Sequence, residues 1–495
     1  MGAAIDPASG QATARPSAQA PGQTAAQAAQ AGIAGQLADR VAALRYGDLP
    51  SEAVHWARVG ILDTVGAMLA GAREDATALC AAGLDLQPGP ALLFGSRRRV
   101  SVLDAALVNG TASHVLDFDD CSVTMGGHPS APLLAALFPL AEQLGSNGRD
   151  FVAAYVAGFE VEAKLGLGVN FHHYSKGWHP TSTLGTFGAA AACARLLGLD
   201  AGATARALAL AASFASGIKA NFGTMAKPLH VGHAARNGIY AARLAGLGFT
   251  ANAASAFEHR QGFLDVFNGP GTYDMEPALA AWGAPWDIVS PGIGIKQYPC
   301  CASTHPALDA MLQLVRAHRP APDDVVRVDA AIHSRRLAHT NRPRPDSPLD
   351  CKFSLQYVLA RALLSGRVGV GDFDQAAYRD PAVRDLLPRM QVAAYDHATD
   401  NDFAQDNHAG ATVEIHMRNG EVLRARVEER AGRTAETPLP GELLREKFAL
   451  CAAVTADPAA AREIADQVDR IECLGDIREL TTLLERAVRD DSERR

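Results

Sequence analysis

The sequence has few aromatic residues, little charge and no long apolar run. Aromatic residues make up 6% and charged residues 20% of the 495 positions. A membrane-spanning helix needs about 20 consecutive apolar residues, so no transmembrane segment is expected. The 46 Lys and Arg residues against 54 Asp and Glu residues leave a net charge of -8. Because nucleic-acid-binding domains are usually basic, this charge argues against a nucleic-acid partner.

Cysteine is also scarce, and no pair of cysteines has the C-x-x-C spacing. Eight cysteines in 495 residues do not form a disulfide scaffold, and they favour buried thiols in a reducing cytoplasm. Residues 1–31 consist mostly of Ala, Gln, Gly, Pro and Ser, a composition that predicts a disordered tail. This segment lacks the basic start and apolar stretch of a signal peptide. We therefore expect a cytoplasmic protein.

From residue 32 to residue 293 the apolar spacing is helical. Ile33, Leu37, Val41 and Leu44 fall on one face of a helix. The stretch 184–197 is apolar nearly all round, which is typical of a buried helix. Similar patterns predict further helices over 51–69, 101–115, 130–144, 149–166, 202–216 and 232–247.

The pattern changes over residues 294–431. Residues 325–332 predict a strand, and Asn419-Gly420 between two alternating segments is a strong hairpin signal. Helices are predicted over 304–318 and 353–364, and residues 432–495 are again helical. The sequence thus predicts a mainly α fold with an α/β lid. Residues 32–293 and 432–495 would form the helical domain, and residues 294–431 the lid.

Several sequence motifs of common enzyme classes are absent. The chain has no GxGxxG, GxxxxGK[ST] or HExxH motif, and no GxSxG in a strand–turn–helix context. These absences weigh against nicotinamide, nucleotide, zincin and α/β-hydrolase chemistry. No cofactor is expected.

Four polar clusters interrupt the apolar helices, and the first two place a histidine before a helix. Such a position attracts anions, because free N–H groups point out of a helix N-terminus. His179 precedes a helix of small residues in the same arrangement as His128. The first cluster contains Asp117, Asp119, Asp120, Cys121 and His128. Its three carboxylates within four residues suit cation binding or base chemistry, although such a group is as often a helix end exposed to solvent.

The other two clusters contain lysines. A lone lysine usually lies at the surface, but Lys227 stands between glycine-bearing apolar runs, where it can bind a carboxylate. His230 and His233 have a metal-ligand spacing without a third ligand nearby. Adjacent cysteines fit poorly around one zinc ion, so no metal is expected. The fourth cluster, at the predicted domain junction, is interpreted as a hinge with catalytic groups: Lys296, Tyr298, Cys300, Cys301, Ser303, Thr304 and His305.

In this order and at these separations the segments resemble the MmgE/PrpD family, which includes 2-methylcitrate dehydratases, cis-aconitate decarboxylases and iminodisuccinate epimerases. The resemblance spans about residues 36–452 and implies a helical domain, an α/β lid and a homodimer. The pieces that carry it are DFDDCSVTMGGHPSA, GWHPTSTLGTFGAAAA, NFGTMAKPLHVGHAARNG, KQYPCCASTHPALDA and DCKFSLQYVLA.

The resemblance also implies site residues. The Thr of the decarboxylase branch is Cys121 here, and its hinge His is Cys301, with His305 one turn later. These departures argue against a direct transfer of cis-aconitate decarboxylation. Carried over by motif, the catalytic residues are Asp117, His128, His179 and Lys227, and the substrate-binding residues are Cys121, Lys296, Cys301 and His305.

The family's reactions all build negative charge beside a carboxylate, and fixed cations and hydrogen-bond donors stabilise such charge without a redox cofactor. One imidazole would serve as acid or base. We expect a hydro-lyase that acts on a small di- or tricarboxylate in the manner of 2-methylcitrate dehydratase. The alternative is a dicarboxylate epimerase or a carboxy-lyase. A third interpretation is a polycarboxylate-binding protein without catalytic activity.

Overall fold

The computed structural model describes residues 32–395, 410–430, 432 and 434–489. The predicted tail at residues 1–31 lies outside the described residues. Helices dominate, and the mainly helical prediction is confirmed. They are α1 (Ile33–Ala43), α2 (Ser51–Gly71), α3 (Asp75–Ala82), α4 (Val102–Val115), α5 (Ser130–Leu144), α6 (Gly148–Val169), α7 (His172–Lys176), α8 (Pro180–Leu196), α9 (Ala201–Phe214), α10 (Ala226–Gly246), α11 (Glu276–Ala280), α12 (His305–His318), α13 (Ser334–Thr340), α14 (Pro348–Cys351), α15 (Leu355–Ser365), α16 (Gln375–Arg379), α17 (Pro381–Leu386), α18 (Gly441–Ala452), α19 (Pro458–Val468) and α20 (Arg478–Arg486).

The strands of the described residues are short. They are β1 (Pro88–Leu92), β2 (Arg99–Val100), β3 (Cys121–Ser122), β4 (Ile293–Gly294), β5 (Val325–Ile332), β6 (Met390–Ala394), β7 (Ala411–Met417) and β8 (Val422–Val427). Four of them form one sheet in the order β6-β5-β7-β8. β5 pairs with β6 in parallel, whereas β5–β7 and β7–β8 are antiparallel. The predicted hairpin at Asn419-Gly420 joins β7 to β8.

Two large apolar cores occupy different parts of the chain. The first core takes its buried residues from Ile33–Ile295 and Leu439–Ala487. The second core, built from residues between Tyr298 and Val427, fills the space between the four-stranded sheet and helices such as α12 and α15. The chain passes between the two cores at residues 295–298, next to the fourth polar cluster.

Small residues bring α4 and α10 into close contact. A Cβ atom on Gly232 of α10 would overlap the carbonyl oxygen of Leu107 on α4. Glycine is therefore required at this crossing, since any side chain would push the helices apart. The crossing brings the beginning of α10 close to the end of α4.

The start of α10 differs from the prediction. The apolar pattern placed a helix over 232–247, with Lys227 before it, but α10 begins at Ala226. Pro228 is compatible with this start, because a residue in the first helical turn needs no N–H for an intrahelical bond. Lys227 thus lies in the first turn of α10.

β3 and β4 form a small antiparallel pair in which Cys121 faces Gly294. This pairing ties the first polar cluster to the segment that joins the two cores. No described helix is long and apolar enough to cross a membrane.

Candidate active site

The site is built around a turn that follows α4. Asp117 has φ of +53°, in the left-handed region that Asp tolerates better than most residues. Its backbone N–H donates to the carbonyl oxygen of His114 at 3.0 Å. Asp117 lines a cavity of about 490 Å³.

Two lysines neutralise Asp117. The Lys227 ammonium bonds one carboxylate oxygen, and the Lys296 ammonium lies 3.2 Å from the other. All three residues are buried. Burial favours the neutral acid, but the Coulomb attraction of Lys227 and Lys296 outweighs it and holds the pKa of Asp117 well below its usual range. Asp117 is therefore a fixed anion rather than a base.

Imidazoles and a second carboxylate extend the site. Nδ1 of His114 lies 2.7 Å from Oδ2 of Asp119, and Nδ1 of His128 lies 3.3 Å from the same oxygen. Nε2 of His128 is 3.8 Å from Oδ1 of Asp117. Burial lowers the pKa of His114 to about 3, so its imidazole is neutral near neutral pH.

His179 continues this group of rings. It immediately precedes α8, and its ring centroid is 5.5 Å from that of His114. Its Nδ1 lies 3.2 Å from Nδ1 of His230. Burial holds the pKa of His179 well below its usual range and lowers the pKa of His230 to about 4. Neutral imidazoles of this kind can donate or accept a hydrogen bond at the cavity wall.

The third carboxylate of the cluster, Asp120, has a capping role. It accepts a hydrogen bond from the backbone N–H of Ser130 at 3.2 Å, and it also bonds the Ser130 hydroxyl. Ser130 is the first residue of α5. Asp120 therefore satisfies a free N–H at the start of that helix.

The described lining of the cavity is strongly cationic. It contains five Lys or Arg side chains and one carboxylate, that of Asp117. Such a wall favours a ligand with several negative charges. The five cationic residues are Lys227, Lys296, Arg335, Arg336 and Arg430.

The structure brings nearly all of the predicted site residues to this one cavity. Those that line it are Asp117, Cys121, His128, His179, Lys227, Lys296 and Cys301.

His305 is not among the residues that line the cavity. Its Nε2 lies 3.2 Å from the Cys300 carbonyl oxygen, and its ring packs edge-on against Tyr298 at 5.1 Å. As the first residue of α12 it is buried in the second-core region. The expectation that His305 contacts the substrate is therefore not supported by this position.

Sequence reasoning missed several residues of the cavity wall. α13 contributes Arg335, Arg336 and His339, and Nε2 of His339 lies 3.0 Å from Oγ of Ser303. A short basic helix has the pattern of a solvated face, so no local signal marked it. His114, which contacts Asp119 behind the wall, could have been found, because it stands three residues before the first residue of a matched motif, Asp117.

Four residues could offer ligands to a cation. His114, Asp117, Asp119 and His128 each place one donor atom within 4.8 Å of the others. Two ammonium groups already contact Asp117, so a divalent cation there would face strong repulsion. This donor set is therefore a poor site for a divalent cation.

Comparisons with known proteins find similarity over most of the chain. The model of the MmgE/PrpD N-terminal domain matches residues 35–276, and that of the MmgE/PrpD C-terminal domain matches residues 298–472. The cis-aconitate decarboxylase of Homo sapiens is 30% identical over 464 residues, which cover 91% of this chain and 94% of that protein. That of Mus musculus is 32% identical over 402 residues, 77% and 78% of the two chains. That of Aspergillus terreus is 27% identical over 488 residues, which cover 93% of this chain and 98% of that protein.

Proposed function

The chain belongs to the MmgE/PrpD family of lyases, and from this premise we propose that it is a carboxy-lyase that releases CO2 from a small unsaturated tricarboxylate. Cis-aconitate is the first candidate, because it is the acid named in the curated relatives. The sequence alone favoured a hydro-lyase. The relatives favour the carboxy-lyase alternative, although Cys121 and Cys301 replace the Thr and His expected of that branch.

The charge of the cavity is the observation that carries the substrate class in this proposal, and the relatives carry the choice of reaction. The described lining contains five cationic side chains and one carboxylate. A substrate with three carboxylates matches this lining better than a monoacid does. The same cations stabilise negative charge that develops during the reaction, since they are fixed before the substrate arrives.

Decarboxylation would use these groups in a simple sequence. The bond between carbon and one carboxyl group breaks, CO2 leaves, and the electron pair spreads over an allylic carbanion beside a remaining carboxylate. Lys227 and Lys296, which both line the cavity, would stabilise that charge. A proton then adds to the far end of the allylic system.

We assign the proton transfer to His128. Its imidazole lies at the cavity wall between Asp119 and Asp117. The two carboxylates, 3.3 Å from Nδ1 and 3.8 Å from Nε2, flank the ring and would keep it in this position during the transfer. His179, neutral and buried, would complete the wall as a hydrogen-bond partner.

Mass spectrometry of products tests the proposal. The purified protein is incubated in D2O with cis-aconitate, 2-methylcitrate, citrate or iminodisuccinate. We expect loss of CO2 from cis-aconitate with uptake of one solvent deuteron. Loss of water from a hydroxy acid, without CO2 from cis-aconitate, would assign a hydro-lyase instead. Deuterium in recovered substrate alone would assign an epimerase, and thermal stabilisation by these acids without turnover would assign a binding protein.

A further inference from the structure

Three lysines donate to three consecutive backbone carbonyls at the turn that carries Asp117. Lys352 Nζ lies 3.0 Å from the Leu116 oxygen, Lys296 Nζ lies 2.7 Å from the Asp117 oxygen, and Lys447 Nζ lies 2.6 Å from the Phe118 oxygen. We call Lys296, Lys352 and Lys447 the lysine clamp. Because the carbonyls directly after α4 have no partner within the helix, the clamp satisfies them with ammonium groups.

The clamp lysines come from three distant parts of the chain. Lys296 lies between the two cores, Lys352 lies between α14 and α15, and Lys447 is on α18. Their exposed fractions are 1%, 3% and 6%. Burial of an ammonium group is costly unless it is paired. Three buried ammonium groups on one short turn therefore indicate that the site needs this turn to be held in place.

Lys352 differs from the other two in its partners. Lys296 lies 3.2 Å from the Asp117 carboxylate, and Lys447 lies 2.6 Å from that of Asp63. Among the described residues, no carboxylate comes within 4.0 Å of the Lys352 ammonium, which is held by two carbonyl oxygens and the Phe373 ring. A neutral side chain would avoid this desolvation, so the charge itself calls for an explanation.

Lys352 also holds residues 299–301, which directly follow the passage between the two cores. Its ammonium donates to the Pro299 oxygen at 3.0 Å. Its own carbonyl oxygen accepts a hydrogen bond from the Cys301 backbone N–H at 2.9 Å. One residue thus links the turn of Asp117 to the segment of Cys301, and both of those residues line the cavity.

We propose that Lys352 is a positioning residue that fixes the turn of Asp117 against the segment Pro299–Cys301 without touching the substrate. It is absent from the described cavity lining. The kinetic part of this inference rests on the proposed carboxy-lyase function, whereas the structural part does not. Loss of the charged bond to Leu116 would loosen the turn and move Asp117 relative to Lys227.

The charge of Lys352 is sensitive to pH. Burial lowers the pKa of Lys352 to about 8, although Glu74, Asp117 and Cys300 partly oppose the effect and Lys296 adds to it. The ammonium is therefore lost in mildly alkaline solution. We expect kcat of the wild-type protein to fall as the pH rises through about 8.

The kinetic test compares K352M with the wild-type protein. A displacement of about 1 Å can cost about 100-fold in rate, so we expect kcat of K352M to fall about 100-fold at pH 7, with KM changed less than about threefold. The loss of activity through pH 8 should disappear in this variant. Wild-type kcat in K352M, or an unchanged alkaline loss, would overturn the proposal.

A matched control separates positioning from a general loss of stability. Lys164 is equally buried, with 2% exposed, and pairs with Glu160 and Asp287 outside the cavity lining. We expect K164M to lower the melting temperature while it keeps kcat. If K352M does not fold, K352Q replaces it, because the amide can still donate to a carbonyl but carries no charge.

Hydrogen exchange tests the positioning without any substrate. The Asp117 N–H is bonded to His114 in the turn, so we expect K352M or K352Q to speed amide exchange over residues 114–122 and leave residues 458–468 unchanged. Unchanged exchange at the turn would overturn the inference. If no candidate acid is turned over but exchange rises as expected, the proposed function fails and the positioning role stands.

Discussion

Lys227 and Asp117 form a buried ion pair although they lie 110 residues apart in the chain. The pair exists because α10 crosses α4 at Gly232, where the two helices come close enough to bring Lys227 to the turn after Val115. The pair and Lys296 together carry one net positive charge at the cavity wall.

Replacement of Lys227 by Met should abolish most of the activity. The carboxylate of Asp117 would keep only Lys296, and the charge that stabilises the carbanion would be lost. We expect kcat/KM to fall at least about 100-fold, the usual effect of removing one such electrostatic group. Steady-state kinetics on the turned-over acid measure this. K176M, which removes an exposed lysine bonded to Asn268, serves as the control and should retain wild-type kinetics.

Gly232→Ala should destabilise the protein by about 1–3 kcal/mol, the usual cost of overpacking. The added methyl group would overlap the Leu107 carbonyl oxygen and approach Thr111 Oγ1 at 2.8 Å. Urea unfolding followed by circular dichroism measures the change. G441A is the control, since nothing lies within 4 Å of a Cβ at Gly441. A G232A protein as stable as G441A would mean that this crossing is not closely packed.

His173 should contribute to acid sensitivity. Burial lowers its pKa to about 4, although a bond to Asn268 partly opposes the shift. In the unfolded chain its pKa is about 6.5. Between these values the unfolded state binds more protons, so the free energy of unfolding falls as the pH decreases from about 6.5 to about 4. Urea unfolding at several pH values should show a shallower dependence in H173Q than in the wild-type protein. Equal slopes would show that His173 does not titrate in this range.

Cys121 should not act as a nucleophile. Burial raises its pKa to about 11, although Lys296 and Arg430 partly oppose this. The side chain is therefore a neutral thiol near neutral pH, and thiolates are the reactive form. We expect C121A to lose less than about tenfold in kcat, whereas H128A should lose about 10²–10⁴-fold, the range for a general acid. A C121A protein as slow as H128A would give the thiol a chemical role.

The sequence located much of the site because polar residues before apolar helices are unusual. His128 and His179 stand immediately before or near the starts of α5 and α8, where their positions were visible in the pattern. Lys227 was identified too, although its helix begins earlier than the apolar spacing indicated. These residues meet at one cavity.

Other features depend on tertiary contacts that no local pattern reports. His305 was expected at the site, but as the first residue of α12 it faces Tyr298 and the Cys300 carbonyl. The arginines of α13 have the composition of a solvated helix. Lys352 lies inside a matched motif, yet only the fold reveals that it is buried against the turn of Asp117.

Release of CO2 from cis-aconitate labelled with 13C in its carboxyl groups tests the central claim most directly. The labelled gas is measured by mass spectrometry for the wild-type protein and for K227M at equal concentration. We predict one labelled CO2 per substrate consumed by the wild-type protein, and a rate at least about 100-fold lower for K227M. Absence of labelled CO2 with the folded wild-type protein, or equal release by both proteins, would contradict the account.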